Sequence, residues 1–259
     1  MAERFLPDVP AYLARIGAPM PQAPSAEALG ALVRFHLEAV PFENLESLYT
    51  HQAPSLEPER LFEKIVLRRR GGYCFELNKL FCLLLQSLGY DCRPVAARVV
   101  HHRTDPRPLS HRATIVTVDG GRWFVDVGFG GAGPKGIASL DTDAVQTVAG
   151  EPFVILPQVG GFTVARLEQG TPEPVLAVRD EPWQDVDFEI LNAYFGSSPR
   201  SPFTQKPVLY RCTGDGWVSL TGDLLTILHQ GEKTQKNLTP AELPTALARL
   251  FGLDLEMEE

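Results

Sequence analysis

The sequence predicts an α+β fold, on the order in which its patterns appear. Residues 1–90 carry mostly helical periodicity, and from residue 91 the pattern changes to short β-like runs with glycine and proline between them. Near residue 200 the character shifts again, to strands and turns followed by a short helical stretch. Segregated helices and strands argue for α+β, because an α/β sheet would need the two to alternate.

The elements follow in order. "SAEALGALVRFHLEAV" offers Ser25 as an N-cap, then Leu29, Leu32, Val33, His36, Leu37 and Val40 along one face, stopping at Pro41. "SLEPERLFEKIVLRRRGG" places glutamates early, arginines late and glycine after, a polarity that complements the helix dipole and predicts a helix over 58–70. "FELNKLFCLLLQSLGY" is apolar nearly all round, so it predicts a buried helix, closed by Gly89. The strand candidates are "RPVAARVV", "RATIVTV", "RWFVDVG", "PFVIL", "FTVARL" and "PVLAV". "PVLYRCTGDGWVSLTGDLLTILHQG" reads as further strands joined at "GDG" and "TGD". Last, "TPAELPTALARLFG" supplies Thr239 as N-cap, Pro240 at the first helical position and Glu242 as capping-box partner, with Pro244 expected to kink the second turn.

Composition narrows the function. The chain has 259 residues, 44% hydrophobic and 22% charged, enough for one large domain or two to three small ones. A formal net charge of −8 argues against nucleic acid and anionic membrane as main partners. No run of 18 apolar residues occurs, and "MAERFLPDVPAYLARIG" is charged and broken by prolines. It reads as neither a signal peptide nor a span, so a cytoplasmic protein is expected. The four cysteines (Cys74, Cys82, Cys92, Cys212) form no C-x-x-C pair, so neither a disulfide framework nor a zinc site is expected.

Cys74 stands out. It lies directly after Gly71 and Gly72 at the first turn of the buried helix, where unpaired N–H groups and the dipole favour thiolate over thiol. The same N–H groups suit an oxyanion, and the glycines would let a reactant approach the backbone. Cys82, mid-helix between Phe81 and Leu83, reads as an ordinary core cysteine. A base is available in "SHRATIVTVDGGRWFVDVGFGG", a hairpin by pattern around Asp119-Gly120. If those two residues form the loop, His111 and Asp126 share a face one diagonal step apart, roughly 7–8 Å between Cα atoms. A three-residue loop would put them on opposite faces. Cys, His, Asp in chain order is one of the nucleophile–base–orienter arrangements.

"RGGYCFELN", "SHRATIVTV" and "RWFVDVGFGG", with "VPFENL" before and "SPF" after, together resemble the arylamine N-acetyltransferase family across nearly the whole chain. The resemblance implies a three-part fold: a helical bundle over 1–90, a β-barrel over 91–200 and an α/β lid over 201–259, related to papain-like and transglutaminase-like cysteine enzymes. It implies Cys74, His111 and Asp126 as catalytic triad and acetyl-CoA as co-substrate, with transfer of the acetyl group to an arylamine or arylhydrazine. No metal or prosthetic group is implied. Phe42, Phe129 and Phe203 match positions lining the acceptor pocket, and Gly130 and Gly131 match a loop near coenzyme A. One departure is "TQK" after "SPF", where relatives usually carry an asparagine-rich stretch.

Other signals mislead. "GFGGAG" satisfies G-x-G-x-x-G, but no helix pattern follows and no βαβ unit surrounds it, so NAD or FAD binding is not expected. His101-His102 looks like a metal pair, yet adjacent strand residues point to opposite faces. Arg70, beside the active-site glycines, is the member of "LRRRGG" to watch. The same triad would also serve an amide synthase acting on a thioester-bound acyl chain, or a Cys-His-Asp hydrolase, and a non-enzymatic binding module could keep the scaffold.

Overall fold

The structure is a computed structural model that describes residues 6–254. It opens with α1 (Val9–Ile16), where the sequence had shown only charge and prolines. Asp8 caps this helix by accepting the Ala11 N–H at 2.9 Å, and Pro10 falls in the first turn, where its missing N–H costs nothing. α2 (Ala26–Ala39) starts as expected at Ser25, whose hydroxyl accepts the Ala28 N–H. A two-residue strand β1 (Phe42–Glu43) and a short helix α3 (Leu45–Thr50) follow.

The helix expected over 58–70 is shorter. α4 (Pro58–Phe62) runs into a π turn at Glu63–Leu67, and Arg69 adopts φ +54°. The cause is Arg15, a buried residue of α1. Its guanidinium donates to the carbonyls of Ile65 at 3.0 Å and Arg69 at 3.2 Å, so the chain turns to present them. α5 (Cys74–Ser87) is buried on nearly every side, as its composition predicted.

The next strands are β2 (Asp91–Val99), β3 (His111–Val118), β4 (Gly121–Val125), β5 (Ala138–Ser139), β6 (Gln146–Val148), β7 (Glu151–Gln158), β8 (Gly161–Glu168) and β9 (Thr171–Arg179). They form one antiparallel sheet in the order β5-β4-β3-β2-β9-β8-β7-β6, and its edges β5 and β6 come together, so the sheet nearly closes into a barrel. Alternation along the strands divides two cores. Val95, Ala97, Ala113, Ile115 and Phe124 fill the barrel with Phe153 and Val164, while Ala96, Val116 and Val125 pack outward against the helices.

α6 (Asp185–Ser197) was not anticipated. Its buried side is the thin stripe Phe188, Asn192 and Phe195, with exposed Val186 and Ile190 blurring the pattern. A second antiparallel sheet comprises β10 (Val208–Thr213), β11 (Gly216–Thr221), β12 (Leu224–His229) and β13 (Glu232–Asn237), with β1 added at the edge beside β10. α7 (Leu243–Ala246) begins later than expected. Glu242 does accept the N–H and hydroxyl of Thr239, both at 2.9 Å, but these bonds close a turn. Pro244 therefore lies in the first turn of α7 and kinks nothing.

One buried side chain ties the N-terminal helices to the second sheet. Asn44 donates to the carbonyls of Phe203 (2.8 Å) and Lys206 (2.9 Å) and accepts the Val208 N–H (2.7 Å). The "TQK" departure is thus held through its backbone. Asn44→Ala leaves three backbone groups, of half-buried Phe203 and Val208 and exposed Lys206, without this partner and should destabilise the chain by about 1–3 kcal/mol. A lower urea midpoint at unchanged slope is the expected readout; an unchanged midpoint would show that water replaces the amide at no cost.

Candidate active site

Cys74 is the first residue of α5, and a network of charges fixes that helix end. Glu76 accepts the Tyr73 N–H at 3.0 Å and pairs with Lys64 at 2.6 Å, and Lys64 also pairs with Glu46 at 2.6 Å. Burial pushes the Glu76 carboxyl up to about 7 against the opposing pull of Lys64. Arg70 donates through Nε (3.1 Å) and Nη2 (2.8 Å) to the buried carboxylate of Glu43, whose other oxygen accepts the Leu45 N–H. Burial would raise Glu43, but Lys64 and Arg70 hold it below the usual carboxylate range. Arg70 is therefore a brace between β1 and the loop before α5.

The glycines before Cys74 serve packing. A Cβ on Gly71 would stand 2.1 Å from the Pro41 carbonyl, so only glycine lets this loop lie against β1. That differs from the expectation that these residues open the backbone to a reactant. Gly128 has a comparable task, since its Cβ would fall 2.8 Å from Cys74 Cα. Its absence lets the end of the β3–β4 hairpin rest on the start of α5.

The hairpin has the two-residue turn that the pairing argument required. Val118 lies opposite Gly121 and Thr114 opposite Val125, with φ +54° at Asp119 and +73° at Gly120. His111 and Asp126 consequently share a face, and His111 Nε2 lies 2.6 Å from Asp126 Oδ2, both residues 2% exposed. Cys74 Sγ sits 3.8 Å from the carbonyl of Ser110, the residue before His111. With Nε2 engaged by the carboxylate, Nδ1 is the nitrogen left for the thiol. Burial alone would push His111 down. The charge and hydrogen bond of Asp126, with a further contribution from Cys74, outweigh it and raise the imidazole to about 10.

Asn78 was missed by the sequence reading. Its amide donates to Asp126 Oδ1 at 2.9 Å and to the Arg112 carbonyl at 2.6 Å, and its oxygen accepts the Val127 N–H at 3.0 Å. The signal was available, because Asn78 lies four residues after Cys74 on the same helix face, polar within an apolar run.

Phe129 meets the His111 ring edge-on with centroids 5.5 Å apart. Phe42 and Phe203 stand 6.0 Å apart, and Tyr73 lies edge-on to Phe203 at 5.5 Å. Gly130, at φ +67°, packs under Phe42, where a Cβ would meet ring Cγ at 2.8 Å; Gly131 is less confined, with its nearest neighbour the Phe129 ring at 3.7 Å. Cys82 is buried with its Sγ 3.5 Å from that of Cys92, and both are free thiols. His101 and His102 do not point apart. β2 ends at Val99 and His102 takes φ +52°, which brings the two rings to 3.9 Å and places a ligand atom from each, with one from Glu173, within 4.8 Å of one another.

A buried carboxylate holding an imidazole beside a thiol at a helix start, on an α+β scaffold, is an arrangement shared by enzymes that transfer acyl groups through a cysteine. Comparison with known proteins gives the family. The N-acetyltransferase family model matches residues 25–259. The arylamine N-acetyltransferase of Mycolicibacterium smegmatis is 34% identical over 254 residues, covering 96% of this chain and 92% of the relative. Proansamycin X synthase of Amycolatopsis mediterranei is 31% identical, covering 90% and 92%. The structure of Mycobacterium marinum arylamine N-acetyltransferase in complex with CoA superposes with a TM-score of 0.90 at 30% identity, over 96% of this chain and 93% of that one. The chain belongs to the arylamine N-acetyltransferase family.

The His111–Asp126 pair makes a pH-dependent prediction. A raised folded-state pKa stabilises the protein fully below the unfolded value of about 6.5, and the contribution fades as pH rises toward 10. Asp126→Asn should therefore lose most stability against wild type near pH 6, with the gap narrowing toward pH 10. Histidine proton NMR should show the His111 titration shifted below 6.5, since burial then prevails. A stability gap independent of pH would mean that the pair is not charged in the folded state.

Proposed function

We propose that the chain is an acetyl-CoA-dependent arylamine or arylhydrazine N-acetyltransferase working through an acetyl-cysteine intermediate. The observation that carries this reading is the 2.6 Å pairing of buried His111 with Asp126, on a hairpin whose Ser110 carbonyl lies 3.8 Å from Cys74 Sγ at the start of α5. Family membership supplies the donor and the reaction type.

In this reading Cys74 attacks the acetyl carbonyl as a thiolate, with His111 as the imidazolium. N–H groups in the first turn of α5 steady the oxyanion, the C–S bond to coenzyme A breaks, and the departing thiolate takes its proton from His111. An amine then attacks the acetyl-cysteine, His111 accepts a proton from the amine nitrogen, and the Cys74 thiolate leaves. Asp126 keeps the imidazole oriented and its positive form stable, and Asn78 holds Asp126. Phe42, Phe129 and Phe203 offer aromatic walls for the acceptor ring. The loop at Gly130 and Gly131 lies beside Phe42 and Phe129 and is assigned to coenzyme A.

The three-part division belongs to the same reading: 1–90 supplies the nucleophile, 91–200 supplies His111 and Asp126, and 201–259 is assigned the role of lid. A cytoplasmic setting is consistent with four free cysteines, and no helix among the described residues is long and apolar enough to cross a membrane. The net charge of −8 disfavours nucleic acid as a partner. One relative is named for synthesis of a different compound, so amide synthase activity on a thioester-bound acyl chain is kept as the second reading.

Acetyl-CoA alone should add one acetyl group, seen by intact mass and located on the Cys74 peptide. Adding an arylamine or hydrazine should remove it and yield the acetylated amine, with parallel double-reciprocal lines. Intersecting lines with no mass shift under rapid quench would indicate direct transfer in a ternary complex. A stable acetyl-enzyme that no amine discharges would favour the synthase reading.

A further inference from the structure

Arg112 follows His111 on β3, so its side chain projects from the opposite face of the strand, toward α5. There a cleft of about 170 Å³ is lined by Lys79, Cys82, Arg112, Trp183 and Asp185, with Leu83, Gln86 and Pro94 completing it. Lys79 and Arg112 are each only 1% exposed. Arg112 donates Nη2 to Asp185 at 2.7 Å and lies over the Phe188 ring at 4.6 Å, but its Nε and Nη1 have no hydrogen-bond partner among the described residues. Lys79 Nζ forms an ion pair with Asp185 Oδ2 at 3.4 Å, without hydrogen-bond alignment, so it too has no hydrogen-bond partner among the described residues. The Trp183 N–H completes the set.

One carboxylate, itself 36% exposed, thus faces two buried cations. Four donors have no acceptor, and one positive charge is surplus in a site walled by Leu83, Pro94 and Trp183. Leaving a buried cation uncompensated costs several kcal/mol, far more than leaving a neutral donor unpaired. Water can supply acceptors, and the cleft has room for about five or six molecules. Water cannot supply the missing negative charge.

We propose that this cleft binds a phosphate-class oxyanion, either inorganic phosphate or a small phosphate ester. Such an ion offers several acceptor oxygens and the required charge, and it fits the volume with part of its hydration retained. The site is separate from the candidate triad but mechanically joined to it. Lys79 follows Asn78, Arg112 follows His111, and the Asn78 amide donates to the Arg112 carbonyl at 2.6 Å. An anion held between Lys79 and Arg112 braces the α5–β3 joint on which Cys74, His111 and Asp126 are mounted. This proposal does not depend on the identity of the acyl acceptor.

The test is thermal unfolding of the full chain in phosphate or glycerol phosphate, with chloride keeping ionic strength constant. A saturable rise in Tm is expected, about 5–10 °C at a hundredfold excess over Kd. Saturating coenzyme A should leave the increment intact, because coenzyme A is assigned to the other side of β3. Lys79→Met removes the surplus charge. It should match or exceed wild-type stability in anion-free buffer and lose the phosphate response. Trp183→Phe, which removes a single N–H donor, should weaken the response without abolishing it, and it serves if Lys79→Met fails to fold. No saturable shift, an equal shift in both variants, or a shift that disappears with coenzyme A would each overturn the proposal.

Discussion

The buried contact between His111 and Asp126 is the constraint to which the surrounding structure answers. A carboxylate and an imidazole that are both 2% exposed are tolerated only if they meet each other, so a one-residue slip between β3 and β4 would strand both. The two-residue turn at Asp119-Gly120 sets that register. Gly128 lets the hairpin end settle on α5, and Asn78 ties the carboxylate to the helix that carries Cys74. Remove any of these, and the thiol, ring and carboxylate lose their common position before any substrate is considered.

A second layer of charge sets where the helix begins. Glu43, Arg70, Lys64, Glu76 and Glu46 form alternating pairs beneath the loop from residue 70 to 74. Their worth is geometric more than energetic, because buried pairs repay their desolvation only with good alignment. Arg70 meets that condition with two hydrogen bonds to one carboxylate oxygen. Lys64 does so by serving two glutamates at once. The result is a fixed start for the helix that carries Cys74.

Much of this was legible in the chain because it was local. The Ser25 cap, the all-round burial of α5, the hairpin and its shared face all follow from residues within one element or one turn. What escaped depended on distant partners. The helix over 58–70 stops early because Arg15, fifty residues before Ile65, takes its carbonyls. α6 hid because its buried stripe is narrow. The two histidines were placed on opposite faces because strand geometry was assumed one turn too far. Gly71 and Gly72 suggested room for a reactant, whereas their neighbours are Pro41 and Glu76. Asn78 was missed although its spacing from Cys74 was in view, since its partners lie on β3 and just after β4.

The Asn44 bridge also bears on how the chain comes to be made. Its partners Phe203 and Val208 lie 159 and 164 residues further along, so the bridge has one of the longest sequence separations in the molecule. On a ribosome adding ~5–20 residues per second, Asn44 waits roughly 8–30 s for those partners to emerge. During that interval β1, the strand beside the loop that leads to Cys74, has no β10 to pair with. Contacts of such separation form late and slow folding, so the thiol is present in the nascent chain well before the edge strand that steadies its loop is locked. Locking of the loop that leads to Cys74 is thereby tied to synthesis of the chain past Val208.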